Sequence, residues 1–254
     1  ALAERLVPPE AYFANRLTLD MESQIDIEEL ASRLAAMGYE RTDRVDGPGQ
    51  FSVRGGIVDV FPPTEEHGIR IELFDIEIDS LRAFDTATQR STHNLQEVVI
   101  CPAREFLLPK EGLDAAIEAI ERAVNLQVQR LKSLNNHDAA RSLEDRVSWH
   151  MERLVEGVPF PGMEQYKPYF YKNLATLLDY VSPEQVILVD EPARVREQVT
   201  AHQADFAERH TLRLEQGRVL PNETKLIASW NDLYARMREG HALHISGLAK
   251  RVAG

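Results

Sequence analysis

Two adjacent acidic residues, Asp190 and Glu191, end an apolar run that reads VILVDEP. An acidic pair after a buried strand is typical of a Walker B motif, which holds Mg²⁺ and polarises a water during nucleotide hydrolysis. That chemistry also needs a phosphate-binding loop of the form GxxxxGK[ST], and the sequence contains no Gly-Lys pair. We therefore favour a second interpretation, in which the pair begins a helix whose dipole stabilises acidic side chains.

Other residues that support catalysis or metal binding do not form a recognisable set. His241 and His244 are three residues apart in HALH, but no Asp, Glu or Cys cluster accompanies them, and the stretch is more typical of a strand. Cys101 lies in the apolar run VVICP, which predicts a buried, inert thiol. No GxSxG motif is present. The sequence predicts neither a metal site nor a catalytic centre.

Three residues of two predicted strands are better candidates, and they point to binding. In GIRIELFD the alternation of faces places Arg70 and Phe74 opposite a core-facing set. An aromatic side chain beside an arginine on an exposed face is typical of a binding hot spot. The alternative is that a neighbouring element covers Phe74.

The same alternation places Arg54 outward in FSVRGGIVDVFPP, directly before Gly55 and Gly56. Glycines within a strand mark a bulge or the close approach of another backbone. We expect the strand to bend there and to keep its outer surface clear. The alternative is a bulge that is needed only for folding.

Composition narrows the function classes. The 254 residues carry a net charge of −12, which opposes binding to phosphate backbones, so we expect weak or no DNA binding. A single cysteine excludes an internal disulfide and is typical of the reducing cytoplasm. No run of about 18 apolar residues and no signal peptide are evident, so we expect no membrane span.

The elements that must position these residues change character along the chain. Residues 26–38 (DIEELASRLAAMG) predict a helix that is capped by Asp26, with Glu29 completing a capping box, and that ends at Gly38. From residue 39 to about 106, short β-like runs between Gly, Pro, Asp and Thr predict a small α+β module with a mainly antiparallel sheet.

The second half is predicted to be helical and then α/β. Residues 111–134 have the apolar stripe of a helix, and Asp138 is a candidate N-cap of the next helix. Residues 157–171 are predicted to form a loop, and residues 173–181 a short helix. An apolar strand from about residue 185, followed at once by a helix, predicts a parallel α/β sheet. Another helix is expected from about Ser229, and a strand near HALHISG.

A long motif makes the sequence recognisable. The runs FSVRGGIVDVFPP and IRIELFDIEIDSLRAFDTATQRS strongly resemble the transcription-repair coupling factors (Mfd) and their relative, the excision-repair protein UvrB. The resemblance extends from LVPPEAYF, through LASRLAAMGYERTD and CPAREFLLP, to about Asp190. Residues 190–193 read DEPA where UvrB reads DESH, which favours the coupling factors.

The resemblance implies a domain order. Residues 1–18 correspond to the end of a first domain 1A segment, residues 19–106 to the domain 2 that docks UvrA, residues 107–184 to a mainly helical domain 1B, and residues 185–254 to a return into a parallel, helicase-like domain 1A. It also implies that Arg54, Arg70 and Phe74 contact UvrA, and that Asp190 and Glu191 are a degenerate Walker B relic.

The resemblance further implies a non-catalytic module with no cofactor of its own. In the full-length coupling factors, ATP and Mg²⁺ act in a motor further along the chain, and RNA polymerase and duplex DNA are additional partners. Two alternatives stay open at this point: a fragment of UvrB, and a nucleotide-binding or DNA-remodelling half-domain.

Overall fold

The computed structural model describes residues 2–109, 111–182, 184–239 and 241–246. Backbone contacts divide the chain into two units. We call Glu10–Leu107 the sheet unit, and the described residues of 1–9 and 108–254 the helical unit.

The sheet unit is built from short strands and one amphipathic helix. After a short helix α1 (Pro9–Phe13), two strands form an antiparallel pair, and six others form one sheet in the order β2-β3-β4-β5-β6-β7, antiparallel except for β2 and β3. The elements are β1 (Leu17–Asp20), α2 (Ile27–Ala36), β2 (Glu40–Arg41), β3 (Gln50–Arg54), β4 (Ile57–Val60), β5 (Gly68–Phe74), β6 (Glu77–Phe84), β7 (Ser91–Asn94) and β8 (Glu97–Ile100).

Helix α2 begins and ends as its sequence predicts. The Asp26 carboxylate accepts hydrogen bonds from the backbone N–H groups of Glu28 (2.8 Å) and Glu29 (2.7 Å), and Gly38 takes a φ of +87° just beyond the helix. The helix packs Leu30 and Leu34 into the core of the sheet unit. The inward residues of β3 to β6 supply much of the rest of that core, including Phe51, Val58, Val60, Ile69, Ile71 and Leu81.

Gly55 and Gly56 form a turn, so the predicted bulge inside one strand is wrong. β3 ends at Arg54 and β4 begins at Ile57, which leaves the two glycines as a hairpin connection. Gly55 has a φ of +59°, where a side chain is strained. A Cβ on Gly56 would lie 2.7 Å from the Leu73 carbonyl oxygen, so the predicted close approach of another backbone is confirmed.

The helical unit combines a helix pair with a two-stranded parallel sheet. Its helices are α3 (Leu113–Ser133), α4 (His137–Glu156), α5 (Lys167–Phe170), α6 (Pro192–Glu215) and α7 (Trp230–Glu239), with 3-10 helices at Met163–Tyr166, Leu177–Tyr180 and Pro221–Leu226. Its strands are β9 (Val186–Asp190) and β10 (His241–Ile245), which pair with each other in parallel, so the predicted parallel sheet is confirmed.

Some local predictions for the helical unit are wrong. Asn136, not Asp138, occupies the N-cap of α4, and Asp138 lies in its first turn, where the helix dipole still favours an acid. The helix expected over residues 173–181 is reduced to the 3-10 helix Leu177–Tyr180, and the expected loop over residues 157–171 contains two short helices.

Among the described residues, the parallel strands pack against a core on one face. Val189 of β9 lies in a core with residues of α6 and α7, including Val199, Leu233 and Met237. On the opposite face, Val186, Leu188, Leu243 and Ile245 are exposed. In the described residues, no helix is both long enough and apolar enough to cross a bilayer.

The glycine turn yields a stability prediction. We expect Gly56→Ala to lower the free energy of unfolding by about 1–3 kcal/mol, because the added Cβ must displace backbone atoms of β5. Gly47→Ala is the matched control, since its Cβ meets no atom within 4 Å, and we expect a change within about 0.5 kcal/mol. Urea denaturation of both variants measures the difference, and equal stability would contradict the close approach.

Candidate functional site

The outer face of the six-stranded sheet carries a row of polar side chains. Strand pairing places residues of five consecutive strands side by side, on the face opposite the core. Strand alternation therefore puts the predicted Arg70 in this row. From β3 to β7 the row reads Ser52, Asp59, Arg70, Arg82 and Asn94.

Asp59 is the centre of this row and binds two of its neighbours. Its side chain is 0% exposed, and Arg54 Nη2 donates to Oδ2 at 2.6 Å. Arg70 donates through Nε to Oδ1 at 2.7 Å and through Nη2 to Oδ2 at 2.9 Å, a bidentate pair. Two guanidinium groups thus share one buried carboxylate.

Arg70 is less accessible than strand alternation predicts. Its side chain is only 14% exposed, its guanidinium lies 5.1 Å from the Phe84 ring centroid, and Nη1 is 3.4 Å from the Gln89 carbonyl oxygen. The hydrogen bonds to Asp59 are the main reason that the pKa of Arg70 is raised above its ordinary value. Arg70 thus lies on the outer face as strand alternation predicts, but Phe84 and Gln89 cover most of its side chain.

Arg54 and Phe74 are accessible, as predicted. The Arg54 side chain is 49% exposed. Phe74 is 77% exposed, more than any other large apolar residue of the described chain, so no neighbouring element of the sheet unit covers it. The sequence resemblance predicts that Arg54, Arg70 and Phe74 contact a partner, and we call these residues, together with the buried Asp59 that binds both arginines, the docking surface.

Main-chain contacts bring the two exposed residues to the same end of the sheet. The Leu73 N–H donates to the Gly56 carbonyl oxygen at 2.7 Å, so the β3–β4 turn lies against the residue before Phe74. Arg54 pairs with Ile57, which in turn pairs with Glu72, two residues from Phe74. The arginine and the aromatic side chain therefore project from adjoining hairpins.

Asp59 is the residue of this surface that sequence reasoning missed. A signal was present, because an acid between Val58 and Val60 of one strand has the same parity as arginines on both flanking strands. Recognising it requires the register of β3, β4 and β5, which the turn misassignment obscured.

Asp190 and Glu191 are far in sequence from the docking surface and belong to the helical unit. Asp190 ends β9, and Glu191 occupies the N-cap of α6 with a φ of +48°, followed by Pro192 at the first helical position. Both residues therefore stand at a strand-to-helix junction, which fits the helix-start interpretation. Their assignment as a degenerate Walker B motif stays a prediction.

The remaining chemistry-bearing residues are dispersed. Within the described residues, no group of three or more His, Cys, Asp or Glu side chains is placed to hold a metal. Cys101 is partly buried, and burial is the main reason that its pKa is raised, which disfavours the reactive thiolate. His244 lies on β10, a strand as the sequence predicts.

The helical unit buries a second set of titratable groups. Burial lowers the pKa of His150 to about 4, and His150 Nδ1 lies 2.7 Å from the Tyr166 hydroxyl. Burial raises the pKa of Glu223 to about 7, although its carboxylate accepts a hydrogen bond from the Leu220 N–H at 3.3 Å and lies 4.0 Å from Arg213. Desolvation accounts for both shifts without a catalytic arrangement.

Comparison with known proteins shows which families this chain is similar to. Residues 17–106 match the UvrB interaction domain. The chain is 36% identical to the transcription-repair-coupling factor of Bacillus subtilis (strain 168) over 239 residues, 94% of this chain and 20% of that protein. It is 34% identical to the corresponding factor of Staphylococcus aureus (strain MRSA252) over 77% of this chain and 16% of the relative. It is 30% identical to UvrABC system protein B of Kosmotoga olearia over 84% of this chain and 33% of the relative.

The sheet unit thus matches the UvrB interaction domain, and the chain is similar to segments of a group of proteins that includes UvrABC system protein B. Within that group it is homologous to a segment of the transcription-repair coupling factors, as its sequence motifs predict. The chain spans about one fifth of the length of the coupling factors that it matches.

The two arginines are predicted to differ in their effect on stability. We expect Arg70→Ala to cost about 2–3 kcal/mol, because it removes two hydrogen bonds from a buried carboxylate. Arg54→Ala is expected to cost about 1 kcal/mol or less, since Asp59 keeps its bidentate partner. Arg82→Ala, whose pair with Glu72 at 3.5 Å is more exposed, is the control and should be nearly neutral. Denaturant titration of the three variants tests this order, and a reversed order for Arg54 and Arg70 would contradict it.

Glu223 predicts a pH dependence of stability. A carboxyl whose folded pKa of about 7 exceeds its ordinary value of 4.5 contributes stability below pH 4.5, and this contribution is lost as the pH rises through 7. We therefore expect the melting temperature of Glu223→Gln, measured as its difference from the wild type, to be a few degrees higher at pH 8 than at pH 5. Thermal denaturation at both pH values measures this difference. A difference that shrinks with rising pH would show that Glu223 is stabilised as the anion.

Proposed function

We propose that this chain is a non-catalytic adaptor module that recruits UvrA within a transcription-repair coupling factor. In the intact protein it links a stalled RNA polymerase to nucleotide excision repair. The observation that carries the proposal is that an exposed Phe74 and a half-exposed Arg54 lie at the same end of the sheet in a UvrB interaction domain.

The chemistry of the docking surface suits an acidic protein partner. Phe74 offers an apolar anchor of the size that interface hot spots favour. Asp59 and its two arginines together carry one net positive charge, within a chain of net charge −12, while the acidic residues Glu72 and Glu77 lie nearer to Phe74. A UvrA carboxylate that meets Arg54 would form a charge-assisted hydrogen bond.

The same proposal assigns the other regions roles that do not involve catalysis. Residues 107–184 and 185–254 are the counterparts of domains 1B and 1A, and the Asp190-Glu191 junction is a degenerate Walker B relic. The missing Gly-Lys pair supports this assignment, because a nucleotide's phosphates would have no cradle in these residues. ATP, Mg²⁺ and duplex DNA are expected to bind elsewhere in the full-length protein.

A second candidate, a UvrB-like loading module that also binds DNA, is favoured by the similarity to UvrB. The two candidates differ in their affinity for nucleic acid. The adaptor, with its net charge of −12, is expected to bind DNA weakly at physiological salt. Length-dependent, tight binding to duplex DNA in a gel shift would favour the UvrB-like candidate.

Phe74 provides the direct test of the adaptor. We expect Phe74→Ala to weaken binding to purified UvrA by about 1–3 kcal/mol, the range for truncation of a hot-spot anchor. Val99→Ala is the matched control, because Val99 is an exposed apolar residue on β8, outside the six-stranded sheet. Isothermal titration of the whole chain with UvrA measures both affinities.

Interpretation depends on folding being preserved. Phe74 is so exposed that its truncation is expected to change stability by no more than about 0.5 kcal/mol. Equal UvrA affinity of the wild type and Phe74→Ala would remove this surface from the proposed interface. A wild-type chain that does not bind UvrA would overturn the adaptor function itself.

A further inference from the structure

The two arginines of the docking surface have different numbers of hydrogen-bond donors to spare. Arg70 directs Nε and Nη2 to Asp59 and Nη1 toward the Gln89 carbonyl, and Phe84 lies against its guanidinium. With 14% of its side chain exposed, Arg70 has little left to offer a partner.

Arg54 is bound to the same carboxylate through a single nitrogen, Nη2. Its Nη2 donates to Asp59 Oδ2 at 2.6 Å, and half of the side chain remains exposed. A guanidinium carries five N–H donors in a rigid plane, so most of the donors of Arg54 stay available while one edge is fixed. Arg54 can therefore contact Asp59 and a partner's carboxylate at the same time.

Holding an arginine in advance favours binding. A free arginine loses rotamer freedom when it is immobilised at an interface, and pre-organisation removes part of that cost. The buried carboxylate provides such a hold, because Asp59 is itself fixed by the bidentate contact from the neighbouring strand.

We propose that Asp59 is the positioning residue of the docking surface. Arg70 holds Asp59 in place from the neighbouring strand β5, and Asp59 in turn orients Arg54. Of the two arginines, only Arg54 then contacts an acidic group of the partner. This inference rests on the proposed function, and it sharpens that function by dividing roles between residues that look equivalent in sequence. The partner's site then combines one carboxylate for Arg54 with an apolar pocket for Phe74.

The first test needs no partner. Nitrogen-15 relaxation of the arginine Nε–H groups reports whether each side chain is ordered. We expect the Arg54 signal to be ordered in the wild type and mobile in Asp59→Asn, because the amide has no charge to hold the guanidinium. Arg41, an exposed arginine without an ion pair among the described residues, serves as the mobile reference. A wild-type Arg54 as mobile as Arg41 would overturn the positioning role.

The second test is a double-mutant cycle with UvrA. We expect Asp59→Asn to weaken UvrA binding about fivefold or more in the wild-type background and to have almost no further effect in an Arg54→Ala background, because Asp59 acts through Arg54. A purely structural role of Asp59 would weaken binding equally in both backgrounds, and that additive result would overturn the proposal. Circular dichroism and thermal melts of every variant confirm that the compared chains are folded.

A third variant covers the case in which Asp59→Asn does not fold. Arg54→Lys keeps the charge but replaces the planar fork by a point charge, which cannot contact Asp59 and a partner carboxylate in the same way. We expect it to fold normally and to bind UvrA as weakly as Arg54→Ala does. Wild-type affinity for Arg54→Lys would refute a bridging role of Arg54.

The outcomes separate this inference from the adaptor function. If the wild-type chain does not bind UvrA, the adaptor function fails, and the relaxation experiment alone decides whether Asp59 orders Arg54. If the wild type binds and Phe74→Ala weakens binding while the Asp59 cycle is additive, the adaptor function stands and the division of roles fails.

Discussion

A carboxylate buried within a sheet must be neutralised, and this requirement constrains the whole sheet unit. Asp59 is fully buried, and an unpaired charge in that position would cost several kcal/mol, a large part of the free energy of unfolding of a typical domain. β3 and β5 must therefore present Arg54 and Arg70 on the same face and in register with β4. A slip of one residue would turn Asp59 toward Phe51, Val60 and Ile71 in the core, so the ion pair and the apolar alternation select the same register.

Local sequence patterns were sufficient for most elements. The spacing of Leu30 and Leu34, with Asp26 before them and Gly38 after them, predicts α2 and its ends because cap and stripe involve neighbouring residues only. Similarly, an apolar run directly before a helix predicts a strand of a parallel sheet at β9, and the structure pairs this strand with β10. The family was recognised from the long motif, because the periodicity of apolar residues predicts helices and strands but does not identify relatives.

The errors arose where distant residues decide the outcome. Two glycines between apolar runs are also the signal of a two-residue hairpin, and the continuous β-branched composition on both sides concealed it. Alternation places Arg70 on the outer face correctly, but Phe84 and Gln89, which cover it, come from the next strand and the turn after it. Burial on a polar face depends on such tertiary contacts. The alternation of side chains along a strand therefore predicts which face a residue lies on, but it does not predict how exposed the residue is.

The hydrogen bond from Leu73 N–H to the Gly56 carbonyl joins the two hairpins through main-chain atoms. The spacing between the residues that flank this bond is therefore independent of which side chains they carry. The exposed residue at position 74 can therefore be exchanged without moving this main-chain contact, whereas Arg54 is also bound to the buried Asp59. The main chain therefore fixes the spacing of the two exposed positions, and the side chains at those positions decide what the surface can bind.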